Sequence, residues 1–417
     1  MKSLQEKSIM WDRIRWPLLA AGVALIVIVA GIVFPACLRV FGVHAMVPTF
    51  IDLIAILAAG EANQLGWDVY VGNSLDPLNR PHVYGPWWLL LGQLGFVRAD
   101  SWWMGSLLIV AFLGVGAAVL APRNCRTVVW ALLLLASPPA LLAMERGNND
   151  LVIFLLLATA VWLVTRTAKV GILGGGILMV IAAALKLYPL VALTALAARK
   201  VSRRCAWWVV GGTAAVCAWV LLDSLDIYHR VAEIAPKPLT IFAYGFSLSV
   251  FMLSEFSSQG LYLLIGGGPL IALSVWICWR WRRDWWSLIP ISGFTAGCYV
   301  AGGISWAFCY FGTINFAYRM ILLLLPARLW LSKENSPEGG HVVCRFQLIT
   351  ALALCWTPLV KEHLLVVGPD DRFYGGSYML WISLGLEYAL ALVISGTLVF
   401  AILGWAWRRF IGRGDAE

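Results

Sequence analysis

The chain has 417 residues, of which 61% are hydrophobic and 13% charged, and its mean hydropathy is +0.82. Soluble domains carry about 25% charged residues, so this composition excludes a single water-soluble core and makes lipid the solvent. The net charge of +9 comes from short basic clusters between apolar runs, which is membrane topology and not a nucleic-acid surface.

A backbone in lipid must satisfy itself, as a helix bundle or a closed barrel. The apolar runs are continuous over spanning-helix lengths and do not alternate as barrel strands do. The chain therefore reads as an all-α polytopic membrane protein, a single transmembrane domain over 1–417 with about twelve helices. Trp16–Leu38 is too long for a signal-peptide core, so it reads as a retained first helix at about 17–38 with a cytoplasmic N-terminus. A first extracytoplasmic loop covers 39–101, and its apolar piece Tyr84–Val97 is short enough to be a juxtamembrane helix. Helices follow at 102–121, 127–143 and 150–165. The stretch 170–199 has basic clusters at both ends, so it goes out and returns, bent at Lys186-Leu187-Tyr188-Pro189. Then come 206–222, a second extracytoplasmic loop at 223–259, and helices at 260–279, 285–304, 316–332, 343–360 and 379–407. The basic clusters, from Arg123/Arg126 to Arg408/Arg409, put both termini and one set of loops in the cytoplasm. The nine cysteines read as small hydrophobes without metal spacing. The 23 tryptophans read mainly as an interfacial belt, a minority being free to stack on a sugar.

Ionisable residues are rare in spanning bundles and mark function where they converge. Here they collect in segments sharing the extracytoplasmic side: Asp52; Arg80, His82 and Tyr84; Glu145 to Asp150; Lys186 and Tyr188; Asn315, Tyr318 and Arg319; and His363. Each has a plainer alternative. Asp52 suits a helix N-cap, Arg146 and Asp150 an interfacial salt bridge, Lys186 snorkelling to head groups, and Arg319 an interfacial anchor. Glu387 lies inside the last helix with no assigned role.

Asp52 followed by Tyr70 within Gly66-Trp67-Asp68-Val69-Tyr70 resembles the first external loop of the polyprenyl-phosphomannose-dependent mannosyltransferases. These are glycosyltransferase family 87, in the GT-C superfamily. Tyr84-Gly85-Pro86 is similar to the family's Tyr-Pro-Pro, with Gly85 departing from it. Arg146-Gly147-Asn148-Asn149-Asp150 and the later Lys186-Leu187-Tyr188-Pro189 resemble its middle section, and Asn315-Phe316-Ala317-Tyr318-Arg319 a related Asn-x-x-Tyr-Arg element. The resemblance implies a GT-C-like bundle and inverting sugar transfer from a polyprenyl-phosphate donor to a lipid or glycan acceptor, on the extracytoplasmic face of a plasma (inner) membrane. Mannose is the sugar it favours. It implies Asp52 as general base, with Lys186, Arg319 and Arg146 as donor-phosphate cations. Tyr70, His82, Tyr84, Asn148, Asn149, Asp150, Tyr188, Asn315, Tyr318 and His363 are then substrate-binding or supporting. No cofactor or metal is called for, although a divalent cation stays open, since Asp223 and Asp226 are a poor substitute for an Asp-x-Asp motif. Two readings from other classes remain: a transporter of lipid-linked sugars, and a non-catalytic partner in envelope assembly.

Overall fold

Apolar chain in lipid closes its own hydrogen bonds, and here it does so almost wholly as helix. The computed structural model describes residues 2–166, 169–234, 243–244, 269, 272–312, 315–334, 341–364 and 378–411. Among these, the extended pairing is two residues on each side, Ala243–Tyr244 antiparallel to Asn315–Phe316. The first helix is Lys2–Val33, starting well before the expected run, and a short turn of helix follows at Pro35–Arg39. The helices Ser101–Leu120, Asn149–Arg166, Arg203–Asp223 and Tyr378–Ala406 lie close to their expected positions.

Four expected helices are divided. The run 127–143 is two helices, Cys125–Leu135 and Pro138–Arg146, bent by 53°. Pro138 and Pro139 explain the break, because neither has an N–H to continue the preceding ladder, while proline is well placed at a helix start. The run 285–304 becomes Arg282–Leu288 and Phe294–Gly312, with Pro290 between them. The run 316–332 opens as a 3-10 helix, Ala317–Leu323, before the α-helix Leu324–Lys333. The run 343–360 is His341–Cys355 followed by Thr357–Leu364. The expected helix 260–279 lies mostly outside the described residues, although 272–280 is helical, and so does most of the loop 223–259 beyond the helix Leu225–Ile234. Five helices among the described residues are long and apolar enough to cross a membrane, and the bent pair would make a sixth. Shorter apolar helices accompany them, so the described helices are a mixture of long, bent and short pieces.

The stretch 170–199 folds as two helical arms with a break at Lys186-Leu187. Its first arm is the 17-residue α-helix Lys169–Leu185, and its second is the 11-residue 3-10 helix Tyr188–Ala198. A 3-10 helix rises about 2.0 Å per residue and an α-helix 1.5 Å, so the two arms have similar lengths, about 22 and 25 Å. Arg199 Nη1 ties the end of the second arm to the preceding helix Asn149–Arg166 by donating to the Val164 carbonyl at 3.2 Å.

The first loop folds onto the bundle instead of crossing it. Pro86–Leu89 and Leu90–Gln93 are short helical turns, and the Trp88 indole N–H donates to the Leu185 carbonyl at 3.1 Å. The helix Ile51–Gln64 contributes Ala59 and Ala62 to a small core with Val69, Tyr70 and Leu89, against which Ile227, Val231 and Ile234 pack.

The expected basic clusters meet at the far end of the bundle. Glu334 is buried between Arg126 at 2.7 Å and Arg345 at 2.9 Å. Arg409 donates to the carbonyls of Ala197, Arg199 and Val201 at 2.7–2.9 Å. Ala197 and Arg199 lie at the end of the Tyr188–Ala198 helix, where carbonyls lack intrahelical partners, and Val201 lies in the turn that follows. The tryptophans divide: Trp207, Trp208 and Trp219 are exposed, while Trp285, Trp306, Trp330 and Trp405 fill the core, which corrects the belt reading for those four.

Candidate active site

The helix Ile51–Gln64 aims Asp52 inward from its first turn, where a negative charge complements the helix dipole. The preceding Phe50 holds a left-handed backbone, φ 64°, which costs roughly 1–2 kcal/mol. Its N–H is satisfied by the Glu145 carbonyl at 2.9 Å, and its ring meets Trp102 edge-on at 5.5 Å. Gly147 caps the facing helix with φ 58°, and a Cβ there would sit 3.1–3.2 Å from the Cβ atoms of Leu53 and Phe50. A glycine thus lets the 145–150 segment lie directly against the start of the Asp52 helix.

That contact brings Asn148 to Asp52. The Asn148 amide donates to Asp52 Oδ2 at 2.7 Å, and Arg80 Nη1 donates to Oδ1 at 3.3 Å. The N-cap alternative for Asp52 fails, since Phe50 occupies the cap position and no side-chain cap bond forms. Arg80 is itself pinned. Its Nε and Nη2 grip the buried Asp76 carboxylate at 2.9 and 3.0 Å, and Nη2 also donates to the Ile51 carbonyl at 3.0 Å. Such a two-pronged guanidinium–carboxylate pair fixes geometry as well as charge.

A second charge group centres on Asp150, fully buried at the start of its helix. Its Oδ1 accepts from Lys186 Nζ at 2.5 Å and from the Tyr188 hydroxyl at 2.7 Å, and its Oδ2 lies 3.7 Å from Arg319 Nε. Lys186 Nζ is 5.5 Å from the Tyr84 ring centre and 5.9 Å from those of Tyr188 and Tyr318. Arg319 lies over the Tyr188 ring at 5.4 Å. A buried ammonium is tolerated here because a carboxylate and several ring faces surround it. Lys186 therefore does not snorkel, and Arg319 is more than an interfacial anchor. Two cations to one carboxylate leave the group with an excess positive charge. Tyr84 couples the two groups, its hydroxyl lying within the fields of Asp52, Arg80, Asp150 and Arg319.

The first loop supplies an aromatic wall. His82 meets Tyr70 at 5.5 Å and Tyr84 at 5.7 Å, both edge-on. Burial lowers the His82 pKa to about 4, so the ring is neutral. Burial also pushes the Tyr70 phenol up to about 12, and among the described residues its hydroxyl has no hydrogen-bond partner. Gly85, the departure from Tyr-Pro-Pro, has a packing reason: a Cβ would come within 2.6 Å of the Ala184 carbonyl and 2.7 Å of the Tyr228 hydroxyl.

Other expected residues are placed differently. Arg146 pairs with its neighbour Glu145 at 3.3 Å and not with Asp150, while Glu145 also accepts from the Met46 N–H at 2.7 Å. Arg146 thus ties the chain beside the site. The Asn149 side-chain amide is buried, and among the described residues neither its N nor its O is hydrogen-bonded. Asn315 contributes backbone pairing to Tyr244, and its side chain lies outside the described residues, as does that of His363. Arg80 and Asp76 are absent from the sequence-derived site. Arg80 stands in the sequence among the ionisable residues of the first loop, but its pairing with Asp52, 28 residues away, does not show there. Among the described residues no group of three His, Cys, Asp or Glu side chains is placed to hold a metal ion.

Residues 83–296, just over half of the chain, match the family model of Glycosyltransferase family 87. The match takes in Tyr84, the 146–150 segment and Lys186–Tyr188, whereas Asp52 precedes it and Arg319 follows it. No curated protein and no solved structure matches the chain.

Proposed function

The chain belongs to glycosyltransferase family 87, and from that premise we propose that this multi-pass membrane glycosyltransferase moves mannose from a polyprenyl-phosphate donor to a lipid or glycan acceptor, with inversion. The reaction takes place on the extracytoplasmic face of the plasma (inner) membrane, at the end of the bundle that holds Asp52. The carrying observation is the pairing of two charge groups across Tyr84: a carboxylate oriented by Arg80 and Asn148, and a cluster with excess positive charge around Asp150.

Each group suits one end of the reaction. Arg80 and Asn148 occupy one oxygen each of Asp52, and an ionised carboxylate has about four acceptor sites, so an acceptor hydroxyl can still dock. As its oxygen bonds to the anomeric carbon, its proton passes to Asp52. The bond from that carbon to the phosphate oxygen breaks on the opposite face, and its electron pair leaves with the polyprenyl phosphate. Arg319 and Lys186 stabilise the charge that develops there. The leaving group is already a phosphate, so the second carboxylic acid of glycoside hydrolysis is not required. The family match favours transfer over the transporter and partner readings.

The test is to offer the purified protein in nanodiscs polyprenyl phosphates carrying mannose, glucose or galactose, with a membrane lipid extract as acceptor. The reading expects transfer from the mannosyl donor with the anomeric configuration inverted. Retention of configuration, or transfer from a nucleotide sugar alone, contradicts it.

A further inference from the structure

We propose that a cavity at the opposite end of the bundle binds the phosphate of an anionic phospholipid. The cavity has a volume of about 180 Å³ and is lined by Arg123, Arg328, Thr127 and Ser332 on its polar side and by Leu120 and Leu331 on its apolar side. It lies where the helix Ser101–Leu120 ends, since Arg328 Nη1 donates to the Val119 carbonyl at 2.7 Å. The Arg328 guanidinium is held in place. Its Nε donates to Thr295 Oγ1 at 3.1 Å, and its plane lies 4.7 Å from the Phe294 ring centre. Capping accounts for Arg328 but not for Arg123, whose exposed side chain lines the same cavity.

Among the described residues no carboxylate lines this space. The neighbouring acid, Glu334, is already engaged by Arg126 and Arg345. Two arginines line so small a cavity, and an anion there gains charge-assisted contacts to both. Pockets for whole small ligands run to roughly 300–1,000 Å³, so this one takes a single group. Leu120 is the last residue of a 23-residue apolar span, which puts the cavity at head-group depth. The apolar wall and that depth favour a phosphate carried on acyl chains over a free one. Anionic leaflets attract basic residues at this level. The inference stands on this end of the bundle alone and is independent of the transfer reaction.

The test counts lipids retained by the purified full chain in native mass spectrometry, titrated with phosphatidylglycerol or phosphatidylcholine. Arg123→Gln keeps the Arg123 backbone bond to Thr127 Oγ1, and Arg204→Gln removes an exposed charge outside the cavity. The expected result is one phosphatidylglycerol retained by the parent and by Arg204→Gln, and held about tenfold more weakly by Arg123→Gln. Equal retention by Arg123→Gln, equal loss in Arg204→Gln, or equal retention of phosphatidylcholine would overturn the assignment. Displacement of the lipid by millimolar inorganic phosphate would also overturn it, assigning the cavity to a soluble anion.

Discussion

At one end of the bundle charged side chains meet one another; at the other they mostly meet backbone. Asp52, Arg80 and Asp76, and Asp150, Lys186 and Arg319, are carboxylate–cation groups held within a few residues of helix starts. Arg328, Arg408 and Arg409 instead cap carbonyls at Val119, Ile289 and Ala197 to Val201. Capping makes an arginine a fastener, replaceable at moderate cost. Glu334 is also shared by two cations, but Arg126 and Arg345 are exposed, whereas Lys186 and Arg319 are largely buried with Asp150, so removing one member there strands the others in a low dielectric. The difference teaches where charge is structural and where it is arranged for chemistry.

The sharpest break of this comparison is Asp150→Asn. It leaves the buried Lys186 without its counter-ion, and losing one partner of a buried pair costs about 3–5 kcal/mol. Thermal unfolding in detergent should show that loss, and Lys186→Met added to Asp150→Asn should recover part of it. No recovery would mean that Asp150 does not act as the counter-ion of Lys186.

The first loop adds a pH dependence that the capped end lacks. Burial holds the His82 pKa at about 4, against 6.5 in the unfolded chain. Below pH 6.5 the unfolded chain takes up a proton that the folded loop refuses until near pH 4, so the unfolded state gains. The stability is fully present above pH 6.5 and falls as pH drops towards 4, by about 2 kcal/mol between pH 7 and 5. His82→Gln should flatten that slope in a melting series, and an unchanged slope would place the titration elsewhere.

Arg409→Gln tests the fastening end. Three carbonyls lose a charged donor, and about 1–3 kcal/mol should be lost with transfer activity retained once the protein is folded. A loss of activity out of proportion to stability would break the division between the two ends. The smallest effect is expected at Arg230, whose pair with Asp68 at 2.8 Å is open to solvent on both sides. Arg230→Gln should change stability by no more than about 1 kcal/mol, fading with salt.

Much of this organisation was legible in the sequence, because a membrane makes hydropathy and basic clusters informative. The proline at Lys186-Leu187-Tyr188-Pro189 signals the break that is found there, and the short Tyr84–Val97 stretch holds two short helical turns. The break at Pro138-Pro139 carried the same kind of signal, outvoted by a continuous apolar run. Pairing was not legible. The Arg80 contact to Asp52 spans 28 residues of loop, and the Asn148 contact spans 96. Such distances are set by how Gly147 and Phe50 let two helices approach, not by any local pattern. Nor does sequence tell a core tryptophan such as Trp306 from an exposed one such as Trp208, since both sit in apolar runs.

The central claim is that Asp52 is the base of the transfer reaction, oriented by Arg80 and Asn148. Its most direct test is the single-turnover rate of sugar transfer by Asp52→Asn in nanodiscs, at melting behaviour matched to the parent. Asparagine keeps the shape but cannot take the proton, so the rate should fall about 10²–10⁴-fold while donor binding is retained. A rate within a few-fold of the parent would contradict the account and move the base to another residue.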